Sequence, residues 1–188
     1  TPPPMLNRRQ RQMCIRDRTT ELVADFVSYV RPLLSPLPTN GITSIFSCNE
    51  GGECKNGCIS IATLVEKLGT LELPQPMPAK IKAAVAGCPR CCTMPLLRDI
   101  GFIPASGKAR TWHVYFGGHG GRTPRIGDLI GESLSLDECL DLVRRALFVY
   151  QREAKAQTRI SGFLRTTSVE IFLKKVEKSG SLDSGQGI

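Results

Sequence analysis

Gly87-Cys88-Pro89-Arg90-Cys91-Cys92-Thr93 is the stretch that decides how this chain is read. Just before it, Ile81, Ala83 and Val85 alternate with Lys80, Lys82 and Ala84, the period of a strand. That strand, residues 80–86, would deliver Cys88 and Cys92 at its C-terminal end. Upstream, residues 41–47 alternate enough for another short strand, which runs into Cys48 with Cys54 close behind. Five residues separate Cys48 from Cys54, three separate Cys88 from Cys92, and thirty-three lie between the pairs. Thiolates are soft ligands, and four converging ones select zinc or an iron–sulfur cluster. Zinc ribbons and fingers mostly hold their thiolates two to four residues apart, so the wider first spacing favours the bulkier cluster. Gly51 and Gly52, inside the first pair, allow a tight loop that presents backbone N–H groups to it.

Composition narrows the setting. A chain of 188 residues with 41% hydrophobic content can bury one core of ordinary size. No apolar run reaches the ~20 residues of a membrane span, and no apolar stretch follows the basic N-terminus as in a secretory signal. The expected compartment is therefore the cytoplasm, where clustered cysteines bind metal more often than they pair as disulfides. The net charge of +8 is unevenly placed. Residues 1–18 carry five Arg against one Asp, and residues 142–178 carry nine Lys or Arg against three Glu. The segment holding the four cysteines is close to neutral. The excess thus sits on an arm and one helical stretch, which argues against a nucleic-acid face.

Working outward, residues 1–18 show no periodicity and read as a disordered arm; MCIRDR within it looks like a translated sequencing-adapter scar, which would make the arm non-native. A helix opens at Thr19 or Thr20, with Leu22, Val23, Phe26, Val27 and Val30 on one face, and Pro32 ends it. Ile61, Leu64, Val65 and Leu68 mark a short helix stopping at Gly69. Residues 99–103 and 111–116 read as two strands joined as a hairpin by a polar loop. Ser135 to Glu138 is a capping box, opening a long helix whose Leu136, Cys139, Leu140, Val143, Leu147 and Tyr150 share a face. A last helix covers residues 168–178, and residues 179–188 are a Gly/Ser-rich tail. The fold class expected is α+β, a small, mainly antiparallel sheet with helices on one side.

The motifs come in a recognisable order. Cys48-x5-Cys54 precedes Gly87-Cys88-Pro89-Arg90-Cys91-Cys92, then Arg98-Asp99-Ile100-Gly101, then Val114-Tyr115-Phe116-Gly117-Gly118-His119-Gly120-Gly121. This set resembles the sirohaem and iron–sulfur domain of the nitrite and sulfite reductase family, over residues 19–178. The resemblance implies that Cys48, Cys54, Cys88 and Cys92 bind one 4Fe–4S cluster, and that Cys92 bridges it to the iron of sirohaem. It implies electron flow from cluster to sirohaem and six-electron reduction of sulfite or nitrite. The electron donor would be a flavin domain, a ferredoxin or another subunit. It also implies a further ferredoxin-like half, so that the chain is expected to be a fragment. Multi-electron reduction of a small anion needs a cofactor, and sirohaem's carboxylates call for cationic and N–H partners. Arg90, Arg122 and Arg125 are candidates, and Gly117, Gly118, Gly120 and Gly121 would let backbone approach the ring. An ordinary solvated arginine and a plain tight turn are the bland alternatives.

Other cysteines and histidines are expected to be structural. Cys91 stands where the family's turn usually has Asn, and a small buried filler is the simpler role than competition for iron. Cys58 is expected to pack at a helix start, Cys139 in the core, and Cys14 to carry no weight as a ligand. His113 reads as an exposed strand residue, while His119 could face cofactor or solvent. Rival functions are a cluster-only electron carrier, a structural zinc module and a corrin-pathway oxygenase, which looks similar around its cluster.

Overall fold

Ser47 at the end of strand β1 (Ser44–Ser47) lies beside Val85 at the end of β2 (Lys82–Val85), because the two strands run parallel. The computed structural model describes residues 20–31, 41–48, 54–73, 76–105 and 110–180. Expectations for the arm at 1–18 with Cys14, the prolines at 32–40, the Gly51–Gly52 loop, Pro74, the hairpin tip at 106–109 and the tail from 181 lie outside those residues. The chain divides into two units, Thr1–Leu37 and Pro38–Ile188. In the first, helix α1 spans Thr20–Val30, where the sequence expects a helix.

The second unit holds a five-stranded sheet in the order β1-β2-β3-β4-β5. Strand β3 (Ile100–Pro104) is parallel to β2, whereas β4 (Trp112–Phe116) and β5 (Asp128–Leu134) continue antiparallel. The α+β class is as expected, but the sheet is evenly mixed rather than mainly antiparallel. The reason lies in the connections. Helix α2 (Ala62–Gly69) sits on the crossover between β1 and β2, and a 3-10 turn (Pro95–Leu97) on that between β2 and β3. Crossovers of this length return the chain in the same direction, whereas the short β3–β4 link makes a hairpin.

Small and apolar residues place β2 and β3 in the middle of the sheet. Ala83, Ala84 and Val85 are fully buried, and so are Ile100 and Phe102. Gly101 is required because a Cβ there would lie 2.3 Å from the Pro95 carbonyl oxygen, so the 3-10 turn rests directly on β3. Helix α3 (Leu136–Glu153) opens at Ser135, whose amide and hydroxyl both donate to Glu138 Oε2 at 2.8 and 2.7 Å. Those two bonds hold the Glu138 carboxyl below its ordinary value. Cys139, Val143, Leu147 and Tyr150 of α3 are buried in the core, as the periodicity predicts, with Ala146 beside them, while Leu136 and Leu140 are partly buried against it.

Helices α4 (Ile160–Thr166) and α5 (Val169–Gly180) complete the cover. Phe172 stacks on Phe116 at 5.3 Å between ring centroids, and Phe163 meets Tyr150 and Phe172 edge-on at 5.8 and 6.0 Å. Each pair adds about 0.5–1.5 kcal/mol beyond area burial. Asp99 is buried and pairs with Arg159 at the start of α4, while its Oδ2 accepts the Lys82 amide at 2.9 Å. Among the described residues no helix is long and apolar enough to cross a membrane.

Candidate metal centre

The parallel register places both cysteine pairs at the same end of the sheet. Cys48 follows β1 directly, and its amide donates to the Val85 carbonyl at 3.3 Å, extending the ladder. Past β2 the chain turns at once. The Cys91 amide donates to the Cys88 carbonyl at 3.3 Å and Met94 to Cys91 at 2.8 Å, while the Thr93 hydroxyl donates back to Val85 at 3.2 Å. Cys91 and Met94 both take φ of 53°, the left-handed region that favours Gly or Asn.

Cys48, Cys54, Cys88 and Cys92 line one cavity of about 330 Å³. Its remaining walls are Gly57, Ser60 and the apolar Ile59, Ile61 and Ala86, together with Gly87 and Cys58. Among the described residues no carboxylate lines it. The Gly87 amide donates to Cys48 Sγ at 3.0 Å. A Cβ on residue 87 would come within 3.1 Å of that sulfur, so glycine is what permits the approach. Cys88 is buried, Cys48 is half-buried, and Cys54 and Cys92 are exposed. Among the described residues no three Cys, His, Asp or Glu side chains are gathered closely enough to hold a single ion. The thiols stand around a space instead.

Cys91 does not line the cavity. Burial pushes its thiol up, and the neighbouring Cys88 and Cys92 add to the shift. Cys139 is fully buried, and burial pushes its thiol up to about 12. Cys58 differs from its expected packing role. It is exposed, lies before α2 rather than packed on it, and faces the cysteine cavity.

The glycine loop sits elsewhere. The Gly117 amide donates to the Asp99 carbonyl at 2.8 Å, and Ile100 pairs with Phe116, so the loop adjoins the N-terminal end of β3. The cysteines lie past the C-terminal ends of β1 and β2, and none of Gly117, Gly118, Gly120 or Gly121 lines their cavity. A Cβ on Gly118 would lie 2.3 Å from the Leu96 carbonyl oxygen and 2.5 Å from that of Arg98. Gly117 has φ of 82° and leaves 2.5 Å to Leu164. Arg125 donates from Nη1 to the Gly117 carbonyl at 3.0 Å and pairs through Nη2 with Asp128 at 2.5 Å. His119 and Arg125 exchange backbone hydrogen bonds of 2.8 Å each. Arg90 and Arg122 are exposed. His113, expected on an exposed face, is half-buried and accepts the Ser133 amide on Nδ1 at 3.3 Å.

Residues 39–181 match the family described as the nitrite and sulphite reductase 4Fe-4S domain. The chain belongs to that family. An assimilatory-type sulfite reductase of Nitratidesulfovibrio vulgaris is 37% identical over 99 residues, which cover 53% of this chain and 44% of the relative. A nitrite reductase [NAD(P)H] of Bacillus subtilis is 32% identical over 109 residues, 56% of this chain and 13% of that one. The chain thus spans less than half the length of either relative. Among solved structures, dissimilatory sulfite reductase I superposes with a TM-score of 0.64 at 13% identity, over 85% of this chain and 58% of that one. Mycobacterium tuberculosis NirA superposes with a TM-score of 0.59 at 16% identity, over 72% and 26%. These likenesses establish the fold.

Membership in the 4Fe-4S domain family implies a 4Fe–4S cluster and sirohaem as cofactors, and the named relatives are oxidoreductases. The donor set fits the cluster. Soft thiols surround the cavity, and an amide already points at one sulfur. The four cysteines singled out by their spacing all line the cavity. Sequence reading did not find the Gly87 amide or the place of Cys58 on the wall. Cys58's only signal was its closeness to Cys54, and Gly87's depended on a register that sequence leaves open.

Proposed function

We propose that this chain is the cofactor-binding half of a sirohaem-dependent sulfite or nitrite reductase. Cys48, Cys54, Cys88 and Cys92 would hold the 4Fe–4S cluster, and Cys92 would also reach the sirohaem iron. The observation that carries this reading is the meeting of both cysteine pairs on one cavity, at the common end of two parallel strands. When bound, the cluster and sirohaem supply the electron storage and the anion-binding iron for a six-electron reduction.

The chain's own residues would supply part of the setting. Cys88 is buried and Cys48 half-buried, which shields one side of the site from water. Cys92 lines the cavity and is exposed, as a sulfur shared with a second group must be. Arg90 is exposed on the same turn and would offer charge to the macrocycle's carboxylates, whereas Arg122 is exposed on the glycine loop, off the cysteine cavity. Gly117, Gly118 and Arg125 would act indirectly, since their contacts are with the 96–98 backbone, Leu164 and Asp128. The remaining sirohaem pocket, the anion contacts and the electron donor would come from a ferredoxin-like half and a flavin domain, ferredoxin or other subunit.

The test is anaerobic reconstitution of the chain with iron, sulfide and sirohaem. Broad cluster absorbance with superimposed sharp sirohaem bands is expected. Cys92→Ser should lose the coupling between the two centres. A chain that takes up zinc but no iron and sulfide would overturn the reading.

A further inference from the structure

Among the described residues five thiols, not four, line the cavity: Cys58 stands with Cys48, Cys54, Cys88 and Cys92. Cys58 lies outside the ligand spacing that the family resemblance implies. Its position is nonetheless fixed by the same backbone that fixes the others. The Cys58 amide donates to the Gly87 carbonyl at 2.8 Å, and the Gly87 amide donates to the Cys48 sulfur. Gly87 therefore ties Cys58 and Cys48 to the residue next to Cys88. Cys54 is joined to Cys58 by a tight turn, closed by the Gly57 amide on the Cys54 carbonyl at 2.9 Å. A Cβ on Gly57 would come within 3.2 Å of that oxygen, so the turn favours glycine. Cys54 and Cys58 are both exposed, and the Cys58 thiol makes only a weak 3.5 Å bond to the Asn56 carbonyl.

We propose that Cys58 is a further ligand position of this site, able to replace Cys54 on the same iron. The proposal rests on the cluster reading above. In the exchange the bond from iron to Cys54 breaks and that sulfur takes a proton. Cys58 gives up its thiol proton and its sulfur forms the new bond. No electron is transferred, so no oxidant or reductant is needed. Cys91, the other additional cysteine beside the motif, is off the wall and cannot serve in this way.

The experiment compares the full chain with Cys54→Ser, Cys58→Ser and the double variant, each loaded anaerobically with iron and sulfide. Iron and acid-labile sulfide per chain are measured, with circular dichroism to report folding. Each single variant is expected to keep most of the wild-type iron and sulfide, and the double variant to lose it. A folded Cys54→Ser chain that loses its iron as fully as the double variant overturns the proposal. Alkylation of the loaded wild type, read by mass spectrometry, decides the matter without any variant. Partial labelling of both Cys54 and Cys58 supports exchange, whereas full protection of Cys54 beside full labelling of Cys58 overturns it. A wild type that takes up no iron and sulfide overturns the cluster reading itself, before any variant is compared.

Discussion

The Gly87 amide donates to the Cys48 sulfur at 3.0 Å, joining residues thirty-nine apart in the chain. Hydrogen bonds to a ligating sulfur stabilise its negative charge and tune the potential of the centre it holds. A methyl group on residue 87 would stand 3.1 Å from that sulfur and 3.5 Å from the Ile59 carbonyl. Gly87→Ala should therefore displace the sulfur and weaken cluster retention by about tenfold. The reduction potential should move to more negative values. Iron content and a potentiometric titration check this, and wild-type values for both would refute it.

Cys91 occupies a left-handed conformation at φ 53° without lining the cavity. An ordinary L-residue there costs about 1–2 kcal/mol, less for Asn, whose side chain bonds locally. Cys91→Asn should raise stability by about 0.5–1 kcal/mol in urea denaturation and leave iron content unchanged. A loss of iron would return Cys91 to the ligand set.

Gly118 has backbone oxygens within 2.5 Å of where a Cβ would stand. Neither is the end of a flexible side chain, so the 96–98 backbone would have to move. Gly118→Ala should destabilise the cofactor-free chain by about 1–3 kcal/mol. If the glycine were needed only for approach to a macrocycle, the stability of the cofactor-free chain would not change.

Two buried groups on α3 set an alkaline limit. Burial pushes the Cys139 thiol from 9.0 to about 12, with nearby Glu138 adding to it. Burial, and then Asp99, push the Tyr150 hydroxyl from 10.0 to about 12, and that hydroxyl donates to the Thr158 carbonyl at 2.5 Å. Folding raises both values, so their contribution is whole below the unfolded values of 9.0 and 10.0 and is lost as pH climbs towards about 12. Stability should fall across that window. Cys139→Ala should flatten the part of the slope that begins near 9.0. Denaturant titrations at a series of pH values provide the check.

Much of this was legible in the residues themselves. Alternation before Cys88 found β2, the Ser135–Glu138 pair found the start of α3, and the cysteine spacing singled out four residues that line one cavity. Strand β5 escaped because Gly131 and the left-handed Ser133, at φ 53°, interrupt its alternation and its pairing shifts register. Helix α4 is only seven residues long and contains Gly162, so its propensity is weak and packing of Ile160, Phe163 and Leu164 decides it. The direction of β1 against β2 was hidden for another reason. Side-chain patterning fixes which face is buried, not which way a neighbouring strand runs.

Among the described residues strand β1 is the outermost on its side of the sheet, paired over four residues with β2. A centre gripping Cys48 and Cys88 would close a ring of about 40 residues, a restraint of about 4 kcal/mol on the unfolded chain by loop-closure entropy. The cofactor would then be a fastening as well as a redox group. Stripping it would first release the border strand, leaving the interior strands under α3 intact.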